Sequence, residues 1–181
     1  MGTPGARAIS ISLAQAYSSG MPERIRDEQA VLAHYEAEGA RLNIGGVELV
    51  ALEQTIRIDW MPLILQVRVS STIVDMDFPP EVRPALLEAV NAANSAIGYA
   101  VFHLPMALFA KHVLFMEDDR SLSSSVLDRS LKLVAEAARG FGPQLRAIAA
   151  GSLERIPTLQ DTARKVAQLW ADEMNNATDE D

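Results

Sequence analysis

With 181 residues, of which 49% are hydrophobic and 22% charged, the chain suits one soluble globular domain with appendages rather than two domains. Acidic groups outnumber basic ones by 24 to 16, a formal charge of −8 that disfavours direct nucleic-acid binding, since a phosphate backbone is held by a cationic surface. The absence of cysteine removes disulfides, thiolate zinc sites and cysteine nucleophiles together, and no apolar run approaches the roughly 18 to 20 residues of a membrane span.

Residues 1–20, rich in Gly, Ser, Thr and Ala, read as a flexible lead. Their Ala14-Gln15-Ala16 triplet faintly resembles a signal-peptidase site, but Ser10 and Ser12 interrupt the apolar run a signal core needs, so a cytoplasmic location is expected. From Pro22 the spacing of Ile25, Val31, Leu32 and Tyr35 predicts an amphipathic helix, which Gly39 stops.

The period then shortens to two. Arg41 to Ile44, a Gly45-Gly46 turn and Val47 to Leu52 predict a hairpin. Thr55 to Trp60 predicts a third strand, Met61-Pro62 a turn, and the row Leu63, Leu65, Val67, Val69 a fourth strand running on toward Val74. Asp77 is the expected N-cap of a helix that carries Val82, Leu86, Val90, Ala93 and Ile97 on one stripe, with Asn91 and Asn94 near its end and Gly98 terminating it.

Two strand-like runs follow, Tyr99 to Leu104 and Leu108 to Met116. The second is apolar almost throughout, which predicts cover on both faces or an oligomer interface. A long helix begins near Leu122 with a serine cap and the stripe Leu127, Leu131, Val134, Ala138, Phe141, Leu145, and Gly140, Gly142 and Pro143 predict its end near Arg139. A last helix, Pro157 to Met174, precedes an acidic tail. Hairpin rather than crossover connections make the expected class α+β: a twisted antiparallel sheet flanked by helices. The expected organisation is a lead over 1–20, a domain over 21–151, an added C-terminal helix over 152–176 and a tail over 177–181.

Side chains capable of chemistry are sparse. His103 and His112 fall in the two strands of one hairpin, where neighbouring imidazoles could bind a metal, but two ligands without a third make a poor site. Glu117-Asp118-Asp119 lacks the alternating oxygen ligands and central glycine of a calcium loop. Ser121, Ser123, Ser124 and Ser125 lack a nucleophile elbow, so capping explains them better. No enzyme and no cofactor is expected. Surplus apolar positions point instead to a partner: Leu108 and Leu114 on the apolar strand, Val126 and Leu133 off the main stripe of the long helix, and Trp170 and Met174 on the last one.

The segment VNAANSAIGYAVFHLPMALFAKHVLFMEDDRSLSSSVLDRSLKLVAEAARGFGPQL resembles the second half of a YbjN-type domain, in the superfamily that also holds the class I type III secretion chaperones. The matching features are the helix end with Asn91 and Asn94, the strand beginning at Tyr99, the apolar strand ending in acidic residues, and the serine-started long helix. The resemblance implies a type III secretion chaperone-like fold, a homodimer, and a non-enzymatic role in holding a protein or peptide segment. The helix and tail after Ser152 depart from that pattern. Two alternatives stand beside it: a metal-dependent or small-molecule-binding enzyme using His103, His112 and residues 117–119, and an acidic bridging protein in a nucleoprotein assembly.

Overall fold

The computed structural model describes residues 23–75, 78–97 and 102–153, together with positions 164 and 168. In chain order the elements are β1 (Arg24–Ile25), α1 (Glu28–His34), β2 (Arg41–Asn43), β3 (Gly46–Ala51), β4 (Gln54–Met61), β5 (Gln66–Val74), α2 (Arg83–Ile97), β6 (Phe102–His103), β7 (Leu108–Phe115), β8 (Leu122–Ser123) and α3 (Ser124–Ala149). Six strands form one antiparallel sheet in the order β2-β3-β4-β5-β7-β6. The class is α+β, as the alternation of polar and apolar residues implies.

That alternation also builds the core. One face of the sheet carries Val47, Leu49, Ile56, Ile58, Val67, Val69, Ala110 and Leu114, all buried. α3 lies across this face over β4, β5 and β7, and brings Leu127, Leu131, Val134, Ala138, Phe141 and Leu145 down onto it. Phe141 meets Phe102 edge to face with ring centroids 5.6 Å apart, a favoured aromatic geometry. α2 packs against α3 in turn, so the middle of α3 is buried nearly all round, Ser130 and Glu136 included.

Three expectations are corrected. The first helix does not begin at Pro22: Arg24 and Ile25 are extended and pair with Ser123 and Leu122, and α1 starts after Asp27, whose carboxylate accepts the Ala30 amide at 2.8 Å. Leu63 and Leu65 belong to no strand, because Pro62–Ile64 makes a single 3-10 turn and Leu65 turns left-handed at φ 53° before β5 begins at Gln66.

α3 does not end near Arg139 but continues to Ala149 through Pro143. A proline forfeits only its own amide bond and crowds one carbonyl. Buried Phe141, Leu145 and Ile148 on the same helix outweigh that cost. On β7 the described residues cover one face only, with Phe109, Lys111 and Val113 on the other half-exposed and Phe115 exposed, so of the two expectations for this strand it is the oligomer interface that stands, untouched by a single chain. Asp77, the segment 98–101 and nearly all of the last helix and tail lie outside the described residues. Among the described residues no helix is long and apolar enough to cross a membrane.

Candidate functional site

All the described helices pack on one side of the sheet, which leaves the other face without a helix among the described residues. Cross-strand register writes a polar row over that face: Arg41 opposite Glu48, Glu48 opposite Arg57, Arg57 opposite Ser70, and Ser70 opposite Lys111. A second row places Asp59 opposite Arg68 and Arg68 opposite Val113.

Asp59 is the anchor of this face. It is only 4% exposed, although no described helix covers it, because two arginines lie over it: Arg57 Nε and Arg68 Nε each donate to one of its oxygens at 2.7 Å. Each donor–acceptor pair is charge-assisted, and together the three groups fix the side chains of two neighbouring strands. Gly46 makes the room. A Cβ there would stand 2.7 Å from the Ile58 carbonyl oxygen and 2.9 Å from Asp59 Oδ1, so the second glycine of the pair serves the carboxylate, and Gly45 alone takes the left-handed turn at φ 77°. The pair reads from sequence as a hairpin turn, and nothing in it signals the carboxylate that Gly46 accommodates.

The end of the sheet where β4 meets β5 is apolar and exposed. Leu63 is 94% exposed, Ile44 91% and Phe115 71%, with Ile64 beside Leu63 in the turn. The Met116 amide donates to the Leu65 carbonyl at 2.9 Å, which ties this turn to the end of β7. Ile44 belongs to the β2–β3 turn, which the antiparallel register puts at the same end of the sheet.

The residues expected to meet a partner fare differently. Leu108 and Leu133 are buried in the chain's own core and Leu114 lies at its margin, so none of the three has side-chain surface to offer in this structure. Leu133 lies on the part of α3 that is buried nearly all round. Val126 is exposed on the first turn of α3, and Trp170 and Met174 lie outside the described residues.

The histidines of the hairpin are not brought together. His103 pairs with Phe109, three residues before His112, and that odd offset sends the two rings to opposite faces of the sheet. His112 faces α3, where Nδ1 lies 2.9 Å from Ser130 Oγ, and burial holds its pKa below the ordinary value. Glu117 and Asp119 are engaged by Arg24, which bonds the Glu117 carboxylate through both terminal nitrogens and reaches Ser121 Oγ through Nε at 3.0 Å. Among the described residues no three or more His, Asp or Glu side chains are grouped to hold a metal ion.

Two further contacts do structural work. His34 Nε2 and Tyr35 Oη both reach Asp128 Oδ1, at 3.0 and 2.7 Å, and fasten α1 to α3. The Asp128 hydrogen bond raises the His34 pKa, while burial, with Asp128 adding to it, pushes the Tyr35 hydroxyl well above 10. Asn94 of α2 accepts from the Phe102 amide at 2.8 Å and donates to the Phe102 carbonyl at 2.9 Å, so its amide stands in for a strand partner and docks β6. Comparison of the chain with protein-family models, with curated proteins and with solved structures gives no match.

Proposed function

We infer that this chain is a non-enzymatic, chaperone-like adaptor that acts as a homodimer and holds a segment of another protein, the role implied by its resemblance to YbjN-type and type III secretion chaperone domains. The observation that carries the reading is the exposed apolar sheet end formed by Ile44, Leu63, Ile64 and Phe115, beside a sheet face that no described helix covers. Large apolar side chains that expose most of their surface gain from being covered, at about 25 cal/mol per Å² removed from water. With Leu108, Leu114 and Leu133 committed to the core or its margin, the contact set becomes Ile44, Leu63, Ile64 and Phe115, with Val126 near the same end of the molecule.

The chain has no cysteine, so a single cysteine introduced at Leu63 or Phe115 can be labelled without side reactions. Light scattering of the pure protein is expected to give twice the chain mass. A photo-crosslinker on Leu63→Cys is expected to capture either the second copy or a bound segment, and Phe115→Glu to abolish the capture. A strictly monomeric protein from which no site-specific crosslink is recovered would refute the reading.

A further inference from the structure

On the helix-free face, Ser70 lies at the centre of a cationic cluster. Arg57 is its cross-strand partner on β4, Lys111 its cross-strand partner on β7, and Arg68 precedes it by two residues on β5 itself. The period of two puts all four side chains on the same face, and partners in register stand about 5 Å apart at Cβ. The two arginines are held by Asp59, which takes the Nε of each; Arg57 also donates to the Ile44 carbonyl from a terminal nitrogen, while the terminal nitrogens of Arg68 stay uncommitted. Among the described residues, neither the Lys111 ammonium, the Ser70 hydroxyl nor those terminal nitrogens has a hydrogen-bond partner. All of these residues are half-exposed, within reach of a ligand from solvent.

The local charge identifies the ligand. Arg57, Arg68 and Lys111 supply three positive charges, Asp59 removes one and Glu28 of α1 also acts on Arg57, while Arg41 and Glu48 offset each other across β2 and β3. This face stays positive, although the chain as a whole carries −8. We propose that Ser70, Arg68 and Lys111 form a binding site for a phosphomonoester, with Arg57 adding to the positive field beside them. Its charge suits a positive face, and its three terminal oxygens can accept from the ammonium, the guanidinium and the hydroxyl at once. A carboxylate, with two oxygens, would leave one of the three donors without an oxygen of its own. The phosphate is carried either by a modified side chain of a bound peptide or by a small phosphorylated molecule. The site does not depend on the adaptor reading.

The test is a titration of the full chain, followed by calorimetry and by backbone amide shifts, with inorganic phosphate, phenyl phosphate, and a phosphoserine peptide paired with its unphosphorylated form. Saturable one-to-one binding with shifts centred on Ser70 and Lys111 is expected. Each of Lys111→Gln and Arg68→Gln should weaken it about tenfold through the loss of one charge-assisted contact, and Ser70→Ala less. Arg129→Gln, an exposed charge on α3, should leave it unchanged. Tighter binding of the phosphopeptide than of phenyl phosphate assigns the site to a modified partner, and the reverse order to a small molecule. The proposal is overturned if no phosphate compound saturates by about 10 mM, the range of a contact too weak to be specific. Equal binding of the unphosphorylated peptide, or an equal loss in Arg129→Gln, overturns it as well.

Discussion

Replacing Asp59 by asparagine keeps the shape of the side chain and removes its charge. In the native protein its two oxygens accept 2.7 Å bonds from Arg57 and Arg68, and the group is 4% exposed. The amide of asparagine offers one acceptor, so one arginine Nε faces an N–H donor instead. Removing one member of a buried ion pair costs about 3 to 5 kcal/mol when the remaining charge stays buried. The arginine side chains are 38% and 43% exposed and can turn to water, which reduces the expected cost to about 2 kcal/mol. With a urea slope of about 2 kcal/mol per molar for a chain of this size, the unfolding midpoint should fall by about 1 M. The loss should persist in high salt, because the carboxylate is shielded from counterions. A shift of under about 0.2 M would refute the assignment of Asp59 as the anchor of the sheet face, as would simple additivity of Asp59→Asn with Arg68→Gln in a double-mutant cycle.

Gly46→Ala should cost about 1 to 3 kcal/mol in the same urea assay, since its methyl group would press on the Ile58 carbonyl and Asp59, neither of which can retreat; a neutral effect would show that the strands can spread. Pro143→Ala should stabilise by about 1 to 3 kcal/mol, because it restores a helix bond in the last third of α3, with thermal unfolding as the readout. The two half-buried histidines should give opposite pH dependences. His34 has a folded pKa above its ordinary 6.5, so its contribution is fully present below that value and fades as pH rises through the folded pKa. His112 has a folded pKa below 6.5, so its contribution is present above that value and is lost as pH falls through the folded pKa. The melting temperature of His34→Gln should therefore fall further below the parent at about pH 5.5 than at about pH 8.5, and that of His112→Gln the other way round.

The class and most of the core were legible because they rest on periodicity. Ile56, Ile58, Val67 and Val69 alternate, Leu127 to Leu145 recur at helical spacing, and these patterns survive folding. What the sequence could not disclose was register. Whether His103 and His112 share a face depends on an offset between two strands, and the meeting of Arg57, Arg68, Ser70 and Lys111 depends on three separate pairings. The same limit applies to Leu133, which lies off the main stripe of α3 and is buried only because α3 is packed on more than one side. Leu63 and Leu65 leave the strand pattern for a different reason. They continue the alternating row of β5 by composition, but Pro62 fixes a turn that composition alone does not place.

The short ribbon of β1 and β8 bears on the order in which the molecule assembles. Arg24 reaches Ser121 across 97 residues of chain, and the Glu23 carbonyl accepts the first amide of α3 at 2.9 Å. A contact with so long a closure has little to hold it until the sheet and α3 are in place, so it forms late and opens first. Hydrogen exchange at the Ser124 amide should thus proceed through a local opening with a lower free energy than that of the β4–β5 amides, which report global unfolding.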